Sequence, residues 1–527
     1  MSDIEDWEQL DEEIPDSVLE GAQKHEYTFS NKASLQAPTS QEEQNQDISS
    51  LKAQHFSQFK PEESKSAKLA KLPKAPKPKP LPEVAVDKSS LISKVKSEFP
   101  DLEEPSPKQV VNLVFIGHVD AGKSTLCGHL LLQQHKIDER LVQQYKSEAE
   151  ENMRGSWWLA YIMDINHEER EKGKTVEVGK ACFETPSKRF VILDAPGHKR
   201  YVPNMIHGVT QADIGVVVVS SRQGEFEAGF EKGGQTREHV LLARSKGITC
   251  FVVLLTKMDD PSVNWSYERF CFIKNSLEPF FRETCKVSEV YWVPVSGLSG
   301  QNLSEPEPQV CSWYSEGPFL EVLDKLEVQR EKGPLRVPII DKGKDQGVYF
   351  LGKVESGLLV KDLKVTIMPV NLKATIQEIC GPEDTKLVYA EAGENLKIKL
   401  KTQEDIEIQK GYVICDTHNL CEKSNQFLAD VLFLDLPPQK PIVGPGYTCV
   451  LHLHTSLEEC TVVEVLSKFD QQTKKQFKTS FARPNTRVKL RIQTQVDLCF
   501  ENFGPLSRFT LRDEDYTIAL GKVIKTL

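Results

Sequence analysis

No apolar run in this 527-residue sequence approaches the roughly 18 residues that a membrane-spanning helix requires; the longest are strand-sized, such as Ile214–Val219 and Cys250–Leu255. No membrane partner is expected. The 12 cysteines include no C-x-x-C pair and are scattered singly from Cys127 to Cys499, which excludes a zinc-finger spacing and a small disulfide framework. Reduced, mostly buried thiols fit that pattern. Positive charge is not in excess: 66 Lys+Arg against 77 Asp+Glu leave a net charge of −11. Bulk charge therefore cannot bind nucleic acid, any RNA contact is confined to local patches, and no direct sequence-specific nucleic-acid readout is expected. A basic and then apolar leader is also missing, since the chain opens on Asp3, Glu5, Asp6 and Glu8, and a cytoplasmic location is expected.

What is present divides unevenly, and the length predicts about three or four domains. Residues 1–107 hold no Cys, a single Gly (Gly21) and prolines at Pro73, Pro76, Pro78, Pro80 and Pro82. Such a stretch lacks the apolar surface to order itself and reads as a disordered arm. Its first 20 residues carry nine acids and no base, whereas Lys65, Lys68, Lys71, Lys74, Lys77 and Lys79 lie in an acid-free stretch. The acidic start with Trp7 and Leu10 suits a solvated tail or a docking peptide for a regulatory partner. The Lys/Pro run suits an extended basic spacer.

From Val110 short apolar runs alternate with helical stretches. Val110–Ile116, Phe190–Ala195, Ile214–Ser220, Cys250–Leu255 and Val290–Val295 read as buried parallel strands, and Gln235–Lys246 as a helix between two of them. The pattern predicts an α/β domain over 108–332. Beyond Gly333, segments such as Leu396–Lys401, Tyr447–Thr455 and Val488–Gln493 alternate apolar and polar residues between turns, which predicts two small β-barrels over 333–423 and 424–527.

Gly117-His118-Val119-Asp120-Ala121-Gly122-Lys123-Ser124, followed by Thr125, matches G-x-x-x-x-G-K-[ST] between a predicted strand and a predicted helix. Its glycines let backbone N–H groups wrap phosphates, Lys123 can reach the terminal phosphates, and Ser124 can ligate Mg²⁺. Asp194-Ala195-Pro196-Gly197 closes a second strand: Asp194 can hold the metal through a water, and the Gly197 N–H can sense a γ-phosphate. Thr256-Lys257-Met258-Asp259 closes a third. The Asp259 carboxylate can accept both N1–H and the 2-amino group of guanine, a donor pair adenine lacks. Lys257 would lie along the base, and Ser296-Gly297-Leu298 could support the guanine oxygen. The ordered set predicts a GTP site at the carboxyl ends of parallel strands.

With Gln235-Thr236-Arg237-Glu238-His239 and two trailing barrels, this set resembles the elongation-factor-1-alpha-like group of translational GTPases over about residues 108–527. Gly173–Gly179, Gly224–His239, Asp259–Ser266 and Phe509-Thr510-Leu511-Arg512-Asp513 resemble the class-two release factors, the GTP-binding subunits of the eukaryotic peptide chain release factor. The resemblance implies a P-loop GTPase that binds GTP and Mg²⁺ and hydrolyses GTP when stimulated by the ribosome. It would escort the stop-codon-reading class-one release factor to the ribosomal A site. Two relatives remain as alternatives, the rescue GTPase that partners Pelota and the aminoacyl-tRNA carrier, and so does a GTP-gated adaptor with incidental hydrolysis.

Residue by residue, the resemblance implies that Thr175 ligates Mg²⁺ and clasps the γ-phosphate, that His198 orients the attacking water, and that Phe509–Asp513 docks the partner. Two positions depart from the group's pattern: Thr256 stands where Asn is usual and Ser507 where Gly is usual. No poly(A)-binding-protein peptide has the right spacing in the arm. Gly233-Gly234-Gln235 spells the tripeptide of class-one factors but leads into a helix of the GTPase domain. His452 and His454, two apart on a predicted strand, lack the neighbouring ligands a metal site needs.

Overall fold

The computed structural model describes residues 88–527 except 152–154, 156, 164–174, 176–177, 231–233, 288, 329, 331, 345–346, 382–383, 403, 405, 471–474, 502–503 and 515. The acidic start, the Lys/Pro run and the regulatory partner expected for them lie outside the described residues. The last part of the predicted arm, however, is structured: Lys88–Glu98 forms a helix, α1. Leu91 and Ile92 pack against the core of the first barrel, Val95 is buried, and Lys88 Nζ donates to Leu358 O at 3.3 Å. The backbones of Glu103 and Val388 then bond, extending the contact. The apolar stripe at 91, 92 and 95 follows helical spacing, but it is short and diluted by lysines, so composition over the whole arm hides it.

The α/β domain runs through β1 (Gln109–Gly117), α2 (Lys123–Gln133), α3 (Glu139–Glu151), β2 (Gly179–Glu184), β3 (Lys188–Asp194), α4 (Val202–Gln211), β4 (Ile214–Ser220), α5 (Glu225–Phe230), α6 (Gln235–Ser245), β5 (Cys250–Thr256), α7 (Tyr267–Pro279), β6 (Glu289–Pro294) and α8 (Phe319–Lys325). Its sheet has the order β2-β3-β1-β4-β5-β6, parallel except for the antiparallel edge strand β2. Both faces are covered, so alternate residues of β1 enter different cores, Val114 and Ile116 on one side and Leu113 and Phe115 on the other. Strands buried on both faces become continuous apolar runs, which is why they are readable from sequence. β2 is half-buried and carries Lys180 and Glu184, so it escapes that signature.

The first barrel comprises β7 (Arg336–Lys344), β8 (Val348–Lys353), β9 (Leu358–Val360), β10 (Lys364–Met368), β11 (Leu372–Cys380), β12 (Tyr389–Glu391), β13 (Asn395–Thr402) and β14 (Val413–Asp416). Six of these close as β10-β11-β13-β8-β7-β14, and β9 pairs with β12. The second comprises β15 (Glu422–Phe433), β16 (Thr448–Leu453), β17 (Ser456–Asp470), β18 (Lys475–Lys478), β19 (Arg487–Phe500), β20 (Arg508–Asp513) and β21 (Tyr516–Thr526). Pairing of β16 with β17 closes its sheet, and β18 extends one edge. Among the described residues no helix is long and apolar enough to cross a membrane, and all 12 cysteines are free thiols.

Two polar seams join the α/β domain to the barrels. At the first, buried Asp213 accepts from Arg330 Nη1 at 2.7 Å, Lys353 Nζ at 3.1 Å, and the backbone N and Nδ2 of Asn112 at 2.8 Å. Burial alone would raise the Asp213 carboxyl, but the charges of Lys353 and Arg330 outweigh it and hold the group below its ordinary value. At the second seam, Lys246 Nζ, fully buried and pushed down to about 7 by that burial, donates to His452 O at 2.8 Å.

Two buried histidines, His239 and His452, and the half-buried His207 fix an acid sensitivity. Burial, reinforced by nearby cations, pushes His207 down to about 4 and His239 and His452 down to about 3. Each stays neutral in the folded chain while its unfolded counterpart takes up a proton below about pH 6.5. Their stabilisation is complete above that pH and is lost as pH falls toward the folded values, with a slope approaching about 1.4 kcal/mol per pH unit for each histidine. Urea unfolding followed from pH 7.5 to pH 5 should show this decline, and His452→Gln should make it shallower. Stability independent of pH across that range would contradict the assignment.

Candidate functional site

The residues singled out from sequence converge on the carboxyl edge of the parallel sheet. The loop leaving β1 takes left-handed backbone at Gly117 (φ 147°), Asp120 (φ 59°) and Gly122 (φ 96°) before α2 begins at Lys123. A Cβ at Gly117 would lie 2.3 Å from Val218 O, so only glycine fits there. A left-handed turn leading into the start of a helix is a geometry suited to anions. Val119 and Ala121 flank the left-handed Asp120, and Ser124 and Thr125 lie half-buried in the first turn of α2. The Lys123 ammonium, buried and lowered by that burial, donates to His118 O at 2.8 Å and Gly117 O at 3.3 Å.

Asp194 ends β3 fully buried, close enough to Lys123 to act on its charge. At Gly197 a Cβ would meet Lys123 Nζ at 2.6 Å and the Val119 N and Gly117 O atoms at 3.2 Å, so the absence of a side chain brings this backbone against the loop. Ser124 Oγ lies 3.1 Å from Thr175 Oγ1. His198 is half-buried; its Nδ1 accepts from the Arg200 N–H at 3.3 Å, and its ring centroid lies 5.9 Å from that of Tyr201.

At the end of β5, the Thr256 hydroxyl reaches Ala121 O at 2.8 Å and Val219 O at 3.2 Å. The departure from Asn thus keeps a bond to the phosphate-type loop, as its chemistry allows. Lys257 follows with a left-handed φ of 57°, and Asp259 is half-buried. Beyond β6, buried Ser296 Oγ accepts from the Ser299 N–H at 3.1 Å, Gly297 packs on Leu126, and Leu298 is exposed.

Two residues not singled out individually complete the site. From one face of α6, Gln235 Oε1 accepts from the Val119 N–H at 3.3 Å and His239 Nδ1 accepts from the Gly117 N–H at 3.4 Å. Their spacing of four residues puts both on that face, a signal present in the motif Gln235–His239.

The model of the elongation factor Tu GTP binding domain matches residues 108–329, and that of the GTP-eEF1A C-terminal domain-like family matches residues 426–524. The eukaryotic peptide chain release factor GTP-binding subunit of Schizosaccharomyces pombe is 42% identical over 454 residues, covering 84% of this chain and 68% of its own length. This chain belongs to the family of eukaryotic peptide chain release factor GTP-binding subunits. The Kluyveromyces lactis member is 41% identical over 430 residues, covering 80% of this chain and 61% of its own length. The chain thus spans between 61% and 68% of these two family members. The Saccharomyces cerevisiae Ski7 GTPase-like domain, solved bound to GTP, shares the fold with a TM-score of 0.65 at 18% identity, over 81% of this chain and 98% of that one.

In this GTP-binding subunit family member the expected docking strand is not on the surface. Phe509 and Leu511 lie in the core of the second barrel, and Thr510, Arg512 and Asp513 are also buried. Arg512 Nη1 donates to Thr517 Oγ1 at 2.7 Å and lies 3.8 Å from Glu238 Oε1 on α6, while Asp513 accepts from Lys440 and Tyr447. Ser507 is buried in a single turn and donates to Gly504 O at 2.8 Å, so the serine fits there without strain. His452 lies on β16 with its ring buried, whereas His454 sits in the following turn and pairs with Glu355 at 3.1 Å. They are therefore not neighbours on one strand face.

Replacing His239 by Ala would leave the buried Gly117 N–H without its acceptor, at a cost of about 1–3 kcal/mol. Faster hydrogen exchange at the Gly117 amide, read by mass spectrometry, is the expected result; unchanged protection would show that the imidazole does not hold the loop.

Proposed function

We propose that this chain is a ribosome-dependent GTPase of translation termination. It binds the stop-codon-reading class-one release factor, delivers it to the ribosomal A site and promotes peptide release on GTP hydrolysis, working in the cytoplasm. The observation that carries this reading is the convergence of the Gly117–Thr125 loop, Asp194, Gly197 and the Thr256–Asp259 loop at one sheet edge, in a member of the release-factor GTP-binding subunit family.

The loop N–H groups and Lys123 take the phosphates, and the Gly197 N–H meets the γ-phosphate. Asp259 accepts the two guanine donors, Lys257 lies along the base, and the Ser296–Leu298 backbone meets the guanine oxygen. Hard oxygen donors suit Mg²⁺ here, because the 3.1 Å between Ser124 Oγ and Thr175 Oγ1 matches two adjacent ligands of an octahedral cation, about 3 Å apart. Asp194 would hold the ion through a water. Bound there, the cation would neutralise charge building on the β- and γ-phosphate oxygens. His198 orients the attacking water; in the free chain its Nδ1 is engaged by Arg200, so slow intrinsic hydrolysis follows until the ribosome repositions it. Docking of the release factor on Phe509–Asp513 would require α6 to withdraw from Arg512.

The division of labour is testable. His198→Ala should keep GTP affinity within about twofold of the parent while ribosome-stimulated turnover falls about 10²-fold or more. Asp259→Asn should weaken GTP about 100-fold and favour xanthosine triphosphate. Fluorescent-nucleotide displacement and ribosome-stimulated phosphate release measure both. Full multiple-turnover termination with a non-hydrolysable GTP analogue would remove hydrolysis from the mechanism, and tight capture of Pelota instead of the class-one factor would reassign the chain to rescue.

A further inference from the structure

The segment joining β4 to α5 grips the base-side loop at three points. The Ser221 N–H donates to Thr256 O at 2.9 Å, Lys257 Nζ pairs with Glu225 Oε2 at 2.7 Å, and Arg222 Nε pairs with Asp260 Oδ2 at 2.5 Å. Glu225 is itself fixed, accepting from Ser220 Oγ at 2.7 Å and from Arg222 Nη1 at 3.3 Å. Asp260 also accepts from the Ser262 N–H and hydroxyl. Arg269 anchors the gripping segment through Ser221 O and Arg222 O.

Two observations say that this grip has work to do. Thr256 offers one hydroxyl proton where an amide would offer two hydrogens, so the loop starts with fewer donors on this side. Lys257, directly after it, holds a left-handed backbone that a non-glycine side chain keeps only where its surroundings impose it.

We propose that Glu225 and Arg222 are positioning residues for guanine specificity: by holding Lys257 and Asp260 they fix the backbone on either side of Asp259 and aim its carboxylate at both guanine donors. This rests on the guanine-site reading above. Inosine triphosphate, which lacks the 2-amino group, isolates the effect because it can use only one of the two bonds.

The test is the dissociation constants of GTP and inosine triphosphate for the full chain, by displacement of fluorescent GDP, in the parent, Glu225→Gln, Arg222→Ala, the double variant and Arg222→Lys. The Arg222 and Glu225 side chains are 45% and 40% exposed, so neither substitution opens a cavity in the core. In the double variant GTP should weaken about 10-fold and inosine triphosphate only about twofold, lowering the GTP preference about fivefold, with Arg222→Lys restoring part of it. Unchanged affinities, or equal weakening of both nucleotides, overturn the proposal. Asp259→Asn run alongside separates the two readings. If it abolishes the GTP preference while the double variant does not, only the positioning role fails; if it too leaves the preference intact, the guanine-site reading fails.

Discussion

The hydrogen bonds that Gln235 and His239 accept from the backbone of the Gly117–Gly122 loop are the contacts on which the rest of the structure turns. Three residues of that loop have left-handed backbone, and two of its N–H groups, those of Gly117 and Val119, are satisfied by side chains from outside it. Helix α6 does this from one face. From another, Glu238 bonds Thr517 Oγ1 at 2.9 Å and approaches Arg512, and just past the helix end Lys246 reaches His452 O. One helix therefore touches both the phosphate-type loop and the second barrel, which includes the strand expected to meet the partner.

The two seams differ in kind. Around Asp213, an arginine, a lysine and two asparagines bond one another in a buried site, and breaking such a set strands charges in low dielectric. The seam with the second barrel includes a 3.8 Å Glu238–Arg512 approach, a hydrogen bond from Thr517 to Glu238 and one buried lysine on a carbonyl.

Much of this was legible in the sequence because burial on both faces makes parallel strands continuous apolar runs. Val110–Ile116 and Ile214–Ser220 carry that mark and fall within β1 and β4. The turn chemistry of Gly117–Ser124 is equally local. Edge strand β2 and helix α1 escaped, since one is half-polar and the other is a short apolar stripe among lysines. Contacts between distant segments left no local trace: nothing in the string Gln235–His239 says which side chain meets Val119 or Arg512, and nothing in Phe509–Asp513 says that α6 covers it.

Coupling between the loop and the second barrel through α6 is measured by a double-mutant cycle on nucleotide release. Dissociation rates of fluorescent GTP, by stopped flow, are compared for the parent, Gln235→Ala, Arg512→Met and the double variant. If α6 carries the loop's state to the second barrel, Arg512→Met alone changes the rate although the residue lies in the other domain, and the two effects are non-additive by about 1 kcal/mol. An unchanged rate in Arg512→Met, with strict additivity in the double variant, would contradict the account.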